Sequence, residues 1–188
     1  MKPVTVIEGA VSLLDRADVD TDQIIPKQFL KRVERTGFGQ FLFYDWFRSG
    51  EIKLEPNPIL VTGPNFGSGS SREHAPWALQ DFGFEAIVAP SFADIFRNNC
   101  TKNGLLPVEL SAEHCRALAA AGAGRIDLET QTVSWDGGEA SFDFDSDIKH
   151  RLLNGLDEIA ITLERSDAID AYEAAGRADH GPVTTALP

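Results

Sequence analysis

The sequence predicts a mixed α/β fold. Apolar runs of strand length, such as PILVTG (58–63) and EAIVAP (85–90), are separated by stretches with helical periodicity. From residue 125, short segments of alternating polarity with turn residues between them replace this pattern, which indicates antiparallel strands. The chain has 188 residues and a hydrophobic content of 43%, which is enough to form a packed core.

The first third of the chain predicts two strands and two loops of unusual composition. Residues 4–14 (VTVIEGAVSLL) have the pattern of a strand, and the acidic loop DRADVDTDQIIP follows. An amphipathic stretch, KQFLKRVE, and an aromatic-rich one, QFLFYDWF, lie on either side of TGFG. The second strand, PILVTG, ends at the loop GPNFGSGSSREHAP (63–76), and a helical pattern continues to about Phe82.

The middle of the chain continues the alternation of strands and helices. EAIVAP predicts a buried strand, and the next helix is expected from Ser91 to Asn103, with Ser91-x-x-Asp94 as its N-cap signal and Gly104 as its end. LLPVEL predicts a further strand, and SAEHCRALAAAG a helix that begins with serine and ends with glycine.

The last third predicts antiparallel strands and then helix. RIDLET, TVSWD and ASFDF read as strands separated by turns such as Asp-Gly-Gly. Residues 146–176 have a helical pattern, and the final residues, 177–188, are expected to form a loose tail.

Charge and cysteine content exclude several classes of function. The net charge of −12 opposes binding to a phosphate backbone, so nucleic acid is not an expected partner. No apolar run approaches the roughly 20 residues that span a bilayer and no signal peptide is recognised, so we expect a cytoplasmic protein without a membrane partner. Cys100 and Cys115 form no Cys-x-x-Cys pair, and the four histidines form no i, i+4 pair, so no metal site is predicted. An iron–sulfur cluster takes about three or four cysteines, which this chain lacks.

The glycine–serine loop combines groups that bind anions. Gly67 and Gly69 permit a positive φ and let a ligand approach the backbone. The hydroxyls of Ser70 and Ser71 and the guanidinium of Arg72 follow at the predicted start of a helix, where free N–H groups point outward. Since the helix dipole and the guanidinium both attract negative charge, the loop is a candidate receptor for a carboxylate or a phosphate.

A capped turn without a ligand is the alternative for this loop. Ser70 and Glu73 fit a capping box, and Pro76 places the helix start near Arg72, because proline is tolerated only in a first turn. A dinucleotide fingerprint is excluded because Arg72 stands where its third glycine is needed, and no register gives the G-x-S-x-G of a serine hydrolase. From the residues alone, both the receptor and the plain connection remain open.

Three other features leave alternatives open in the same way. The acidic loop 15–22 is a solvated turn, a divalent-cation loop that lacks the Gly and Glu of the calcium pattern, or a source of carboxylates. Such carboxylates would tune the charge of an anion receptor or orient a serine or an arginine. His74 either carries a proton or only forms a hydrogen bond. In the helix after Ser91, residues 97–99 (Arg-Asn-Asn) are exposed or line a site. The predicted buried stripe of that helix consists of Phe92, Ile95, Phe96 and Cys100.

Three stretches together resemble a known family. DVDTDQIIPKQFLKR, NFGSGSSREHAPWAL and APSFADIFRNNCTKNGLLPV resemble the small subunits of bacterial 3-isopropylmalate dehydratases, which are detached swivelling domains of the aconitase superfamily. The resemblance covers roughly residues 10–176 in the same order, and GSGSSREHA is its specific marker. It implies a three-layer β/β/α swivelling domain over residues 1–176, followed by the tail.

The resemblance also implies a reaction and a partner. Enzymes of this family interconvert 2-isopropylmalate and 3-isopropylmalate in leucine biosynthesis, removing water to give isopropylmaleate and adding it back on the other carbon. The implied partner is a large subunit that carries a [4Fe–4S] cluster, the substrate is a hydroxy-dicarboxylate, and this chain binds no cofactor itself.

Roles for three residues follow from the same resemblance. Ser70 matches the base that removes the carbon-bound proton, Arg72 matches the arginine that binds a substrate carboxylate, and Asp22 matches an aspartate of the supporting network. A serine hydroxyl is a poor base at neutral pH unless cationic groups and N–H dipoles stabilise its alkoxide. The anion receptor inferred from the residues supplies that environment.

Substrate selection is expected in the stretch that begins PKQFLKR. Phe29 and Leu30 could contact an isopropyl group, with Lys31 or Arg32 near the distal carboxylate. The remaining candidates for substrate binding are Gly69, Ser71, His74 and Asn99.

Three other functions are considered. A subunit for methylmalate (citramalate) or homoaconitate would share the serine–arginine loop. A stand-alone module could hold a phosphate or a nucleotide without any chemistry, and a scaffold could use FLFYDWF for assembly alone.

Overall fold

The computed structural model describes residues 1–31 and 36–174. Within them, seven strands form one sheet in the order β4-β3-β2-β1-β5-β6-β7. The strands are β1 (Val6–Leu14), β2 (Ile59–Thr62), β3 (Ala86–Ala89), β4 (Leu106–Glu109), β5 (Ala123–Asp127), β6 (Thr132–Trp135) and β7 (Gly138–Ser141).

Eight α-helices lie in the described residues. They are α1 (Thr21–Ile24), α2 (Tyr44–Ser49), α3 (His74–Phe82), α4 (Asp94–Asn103), α5 (Ala112–Ala121), α6 (Ser146–Asn154), α7 (Glu158–Leu163) and α8 (Ser166–Tyr172). Two short 3₁₀ turns, Lys27–Phe29 and Gly39–Phe41, lie between α1 and α2. The mixed α/β class predicted from the sequence is confirmed.

The sheet has a parallel half and an antiparallel half. β1 to β4 are parallel to one another, with Leu13 opposite Val61 in the first pair of strands. β5, β6 and β7 continue from the other edge of β1 as antiparallel neighbours, as the alternating segments after residue 125 predict. β1 is therefore the strand that joins the two halves.

The parallel strands are apolar throughout because both faces of the sheet are covered. Ile59 and Val61 of β2 belong to a cluster that includes residues of α5 and α6, whereas Leu60 between them belongs to a cluster formed with α1, α3 and α4. All four residues of β2 and all four of β3 are buried. A strand covered on both faces loses the alternating polarity of a half-exposed one.

Capping signals predicted some helix ends and not others. Ser111 accepts a hydrogen bond from the N–H of His114 and caps α5, and Gly104 and Gly122 end α4 and α5 in the left-handed region, as predicted. The predicted cap at Ser91 is wrong, because α4 begins at Asp94 after Ala93 and without a side-chain cap. The hydroxyl of Ser91 has a tertiary partner instead, as described below.

The chain divides into two compact units. Residues 1–155 form the first unit, which contains the whole sheet, and a second unit begins at Leu156 and contains α7 and α8. The predicted domain of residues 1–176 stays a prediction. The predicted tail, 177–188, lies outside the described residues.

Candidate functional site

Three loops meet at the carboxyl end of the parallel strands. They follow β1, β2 and β3, and they contain the acidic loop, the glycine–serine loop and the segment that begins with Ser91. The carboxyl ends of parallel strands lie at the same edge of a sheet, where ligands of open α/β sheets usually bind. The strand order therefore brings together three stretches that are far apart in the sequence.

Backbone hydrogen bonds join the acidic loop to the glycine–serine loop. The N–H groups of Gly67 and Ser68 donate to the carbonyl oxygen of Val19, at 2.8 and 3.1 Å, and the N–H of Thr21 donates to the carbonyl of Ser68 at 2.9 Å. The hydroxyl of Thr21 donates to the carbonyl of Ser70, also at 2.9 Å. These bonds fix the alignment of the two loops, and residues 20 and 68 form a parallel β-bridge.

The third loop is attached through residues 65 and 66. The N–H of Asn65 donates to the hydroxyl of Ser91 at 2.9 Å, and the N–H of Phe66 donates to the carbonyl of Ser91 at 3.2 Å. The N–H of Ala93 donates back to the carbonyl of Phe66 at 3.0 Å. Ser91 therefore joins two loops rather than starting a helix.

Gly67 is required by its conformation and by its neighbour. Its φ of +80° lies in the left-handed region, and a Cβ atom built on it would lie closer than 3.0 Å to atoms of Phe96. Phe96 is 2% exposed and packs against the ring of Phe66. The backbone of the loop thus rests directly on an aromatic side chain of α4.

The glycine–serine loop remains extended for longer than its sequence predicts. The predicted capping box of Ser70 and Glu73 is wrong, because α3 begins at His74 and its preceding residue, Glu73, makes no side-chain cap. Ser70 and Ser71 are exposed. Among the described residues, the backbone N–H groups of residues 69–73 donate no hydrogen bond to a carbonyl. This segment is therefore a run of free donors beside two exposed hydroxyls.

Arg72 supplies a buried positive charge within this segment. Its side chain is 7% exposed, and Nη1 donates to the carboxylate of Asp22, which is 41% exposed. Within the described residues, the other nitrogens of Arg72 have no hydrogen-bond partner. A guanidinium has five N–H donors and can hold one carboxylate while it binds another.

The charge of Asp22 is stabilised by its neighbours. The hydrogen bond from Arg72 is the main cause that lowers the pKa of the Asp22 carboxyl, and the charges of Arg72 and Lys27 add to it against the effect of burial. Nζ of Lys27 lies 3.8 Å from the other carboxylate oxygen. Asp22 therefore stays ionised at neutral pH and connects two cations at the site.

The expected substrate loop lies beside Asp22. Phe29 stacks on Phe41 at a centroid distance of 4.1 Å, and both Phe29 and Leu30 are half-buried against the core of the chain. Lys31 is exposed. Arg32, the alternative partner of the distal carboxylate, lies outside the described residues. The apolar pair thus has one face on the protein and a second face available to a ligand.

His74 lies at the start of α3 among aromatic rings. Its ring centroid is 5.2 Å from that of Phe38 and 4.8 Å from that of Trp77. Burial lowers the pKa of His74, and the charge of Arg72 lowers it further, against the opposing effect of Glu73. His74 is therefore a neutral imidazole at physiological pH.

Asn99 is a buried polar residue of α4. It is 9% exposed, and its Nδ2 is buried without a hydrogen-bond partner in the described part of the chain. It follows Phe96 by about one helical turn, on the helix that supports Gly67. Ile95, predicted to be buried on the same helix, is 52% exposed, so that part of the predicted stripe is wrong.

The two cysteines lie apart from these loops. Cys100 belongs to the cluster under α3 and α4, and Cys115 belongs to the cluster on the opposite face of the sheet. In residues 1–31 and 36–174, no group of three or more His, Cys, Asp or Glu side chains is arranged to hold a metal ion. No helix of these ranges is long and apolar enough to cross a membrane.

The sequence interpretation missed two residues at this site. Thr21 and Lys27 flank Asp22, and neither stood out because their partners at the site are found only through tertiary contacts. A usable signal was their position, since both lie in the stretch that carries the family resemblance.

Comparison with known proteins gives consistent matches. The model of the aconitase C-terminal domain matches residues 49–113, which include the glycine–serine loop and α4. The chain is 52% identical over 191 residues to the 3-isopropylmalate dehydratase small subunit of Halalkalibacterium halodurans, covering 93% of this chain and 98% of that protein. It is 53% identical to the protein of the same name from Rhodopirellula baltica, covering 93% and 99% of the two chains.

A solved structure has the same fold. The crystal structure of 3-isopropylmalate dehydratase from Methanocaldococcus jannaschii superposes with a TM-score of 0.68, covers 89% of this chain and 99% of its own, and is 24% identical. With the match to the aconitase C-terminal domain, this confirms the swivelling-domain type expected from the resemblance.

Proposed function

We propose a function from one premise, that this chain belongs to the family of 3-isopropylmalate dehydratase small subunits. It is the small subunit of a hydro-lyase that interconverts 2-isopropylmalate and 3-isopropylmalate through isopropylmaleate, in leucine biosynthesis. The observation that carries the proposal is the exposed Ser70 beside free N–H groups, in the same loop as Arg72, which pairs with Asp22.

The proposal assigns half of the active site to this chain. Loss of water from a hydroxy acid requires a Lewis acid that polarises the leaving hydroxyl, and a [4Fe–4S] cluster held by the large subunit would supply it. The two cysteines of this chain are buried on opposite faces of the sheet, so they do not fit the ligand set of a cluster. The exposed loops at the carboxyl end of the sheet face the cluster-bearing subunit.

Ser70 is the general base of this proposal. In its alkoxide form, Oγ accepts the carbon-bound proton, the electron pair of that bond forms the C=C bond of isopropylmaleate, and hydroxide leaves from the neighbouring carbon. The free N–H groups of residues 69–73 and the charge of Arg72 favour the alkoxide, because both stabilise a negative oxygen. Addition of water to the other carbon reverses these steps.

Arg72 binds a carboxylate of the substrate. Asp22 holds Nη1, which fixes the plane of the guanidinium and leaves the remaining N–H donors to a substrate carboxylate. A lysine at this position would lack the second set of donors. Asp22 acts by orienting Arg72, and Lys27 adds a second positive charge on the same carboxylate.

The stretch at 27–31 selects the substrate. Phe29 and Leu30 present apolar surface beside the charged site, which suits the isopropyl group, and the exposed Lys31 suits the distal carboxylate. We expect the enzyme reconstituted with its large subunit to have a higher kcat/KM for 3-isopropylmalate than for methylmalate or for homoaconitate. Equal or higher values for either of the other acids would contradict the assignment of the substrate.

Replacing one hydroxyl tests the catalytic role. In the reconstituted complex, Ser70→Ala should lower kcat by about 10²- to 10⁴-fold, the usual contribution of a general base. Ser68→Ala is the matched control, because it also removes one hydroxyl from this loop. The hydroxyl of Ser68 donates to the carbonyl of Asp18, so this variant should keep most of the turnover. Formation of isopropylmaleate is followed by the absorbance of its conjugated double bond.

Assembly is measured separately from turnover. Both variants should bind the large subunit as the wild type does, because each removes only one hydroxyl from the loop. Full turnover by Ser70→Ala, or turnover by this chain without the large subunit, would contradict the proposed division of the active site.

A further inference from the structure

Thr21 holds the backbone on both sides of Gly69. Its N–H donates to the carbonyl of Ser68 and its hydroxyl donates to the carbonyl of Ser70, each at 2.9 Å. Thr21 is 2% exposed, so both donors lie on the buried side of the loop. Its side chain therefore makes a specific contact with the backbone of the proposed catalytic residue.

These two bonds fix the direction of two free N–H groups. In a trans peptide unit the C=O and N–H groups point in opposite directions. Because the carbonyls of Ser68 and Ser70 point toward the buried Thr21, the N–H groups of Gly69 and Ser71 point away from it, toward the exposed side of the loop. Thr21 thus orients two of the donors that the proposed alkoxide requires.

The backbone at Gly69 would otherwise have more than one conformation. Its φ is +87°, and a glycine can exchange this region for others at little cost. Thr21 and Asp22 are adjacent, and they hold Ser70 and Arg72 respectively. Two consecutive residues at the start of α1 therefore position both functional groups of the glycine–serine loop.

We propose that Thr21 is a positioning residue for the dehydration, whose hydroxyl fixes the peptide unit of Ser70 so that the adjacent N–H groups face the reacting oxygen. This inference rests on the proposed function, because it requires Ser70 to be the base. Thr21 itself touches neither the substrate nor the proton that is transferred.

Two substitutions at Thr21 separate its hydroxyl from its shape. Thr21→Val keeps the volume and removes the donor, and in the reconstituted complex it should lower kcat about 10- to 100-fold with KM changed less than about threefold, since small misplacements of a reacting group have costs of this size. Thr21→Ser keeps the donor and should retain kcat within about threefold. If Thr21→Val fails to assemble with the large subunit, Thr21→Ala removes the same donor without placing a methyl group against the carbonyl.

The same substitution in a second background identifies the route of the effect. A residue that acts only through Ser70 should have little further effect on the residual turnover of Ser70→Ala, because residues that act as a unit are non-additive. The proposal is wrong if Thr21→Val keeps the kcat of the wild type, if Thr21→Ser loses as much as Thr21→Val, or if Thr21→Val has its full effect without the Ser70 hydroxyl. Full activity of Ser70→Ala would instead overturn the proposed function, so the two failures are distinguishable.

Discussion

Gly67→Ala tests whether the glycine–serine loop rests directly on α4. The substitution adds one methyl group at a residue with a φ of +80°. The new Cβ would lie closer than 3.0 Å to the Cβ, Cγ and Cδ1 atoms of Phe96. The ring cannot easily move aside, because it is 2% exposed and packs against Phe66 and Phe92.

Two costs add up in this variant. A left-handed conformation costs an L-residue about 1–2 kcal/mol, and overpacking a filled core costs about 1–3 kcal/mol. We therefore expect Gly67→Ala to lower the free energy of unfolding by about 2–5 kcal/mol, a large part of the roughly 5–15 kcal/mol that stabilises a typical domain. Turnover of the complex should fall as well, since the loop that carries Ser70 must shift.

A second glycine provides the matched control. Gly50 ends α2 with a φ of +72°, and a Cβ atom on it would have no neighbour within 4 Å. Gly50→Ala should therefore include only the conformational cost, about 1–2 kcal/mol. Urea unfolding of the three proteins, followed by circular dichroism, measures both changes, and their difference of about 1–3 kcal/mol isolates the contact with Phe96.

A double variant checks the cause of that difference. Phe96→Ala in the Gly67→Ala background should destabilise less than the sum of the two single changes, because it removes the Cγ and Cδ1 atoms that the new methyl group would meet. Equal losses in Gly67→Ala and Gly50→Ala, or additive losses in the double variant, would refute the reasoning.

Three further outcomes are expected. Asp22→Asn removes a carboxylate whose native pKa is lowered by the hydrogen bond from Arg72. The contribution of that carboxylate to stability is present above its ordinary pKa of 3.8 and is lost as the pH falls through the lower native pKa. The difference in unfolding free energy between the variant and the wild type should therefore be largest near neutral pH and shrink in acid, and a difference independent of pH would contradict this. Burial raises the pKa of Cys115 to about 11 and that of Cys100 well above its usual range. A thiol reagent at mildly alkaline pH should therefore label both cysteines slowly in the native chain and rapidly after denaturation. Fast labelling of the native chain would show that a thiol is accessible. Ser111→Ala should lower the free energy of unfolding by about 1 kcal/mol, measured by urea unfolding, because it removes the N-cap of α5, and an unchanged stability would show that the cap contributes nothing.

Much of the fold could be predicted because its signals are local. Periodicity and glycine stops lie within a few residues of the element that they define, and so the four parallel strands, α5 and the antiparallel segments after residue 125 were predicted at nearly the correct positions. The absence of a cysteine ligand set was readable from composition alone. The family resemblance predicted the reaction and the roles of the candidate residues. The geometry of the site without that resemblance would not identify the reaction.

What the sequence by itself determined is thus the order of the elements, the anion-binding composition of one loop and the lack of enough cysteines to hold an iron–sulfur cluster. Only the tertiary structure decided how the hydroxyls and charges of the loops are used. Ser91 and Ser70 have the local pattern of helix caps, yet Ser91 bonds to Asn65 and the backbone of Ser70 bonds to Thr21. Arg72 and Asp22, 50 residues apart in the chain, pair because parallel strands end at the same edge of the sheet. Whether a serine caps a helix or bonds to a distant residue depends on which groups the fold places beside it. The spacing of residues in the sequence does not contain that information.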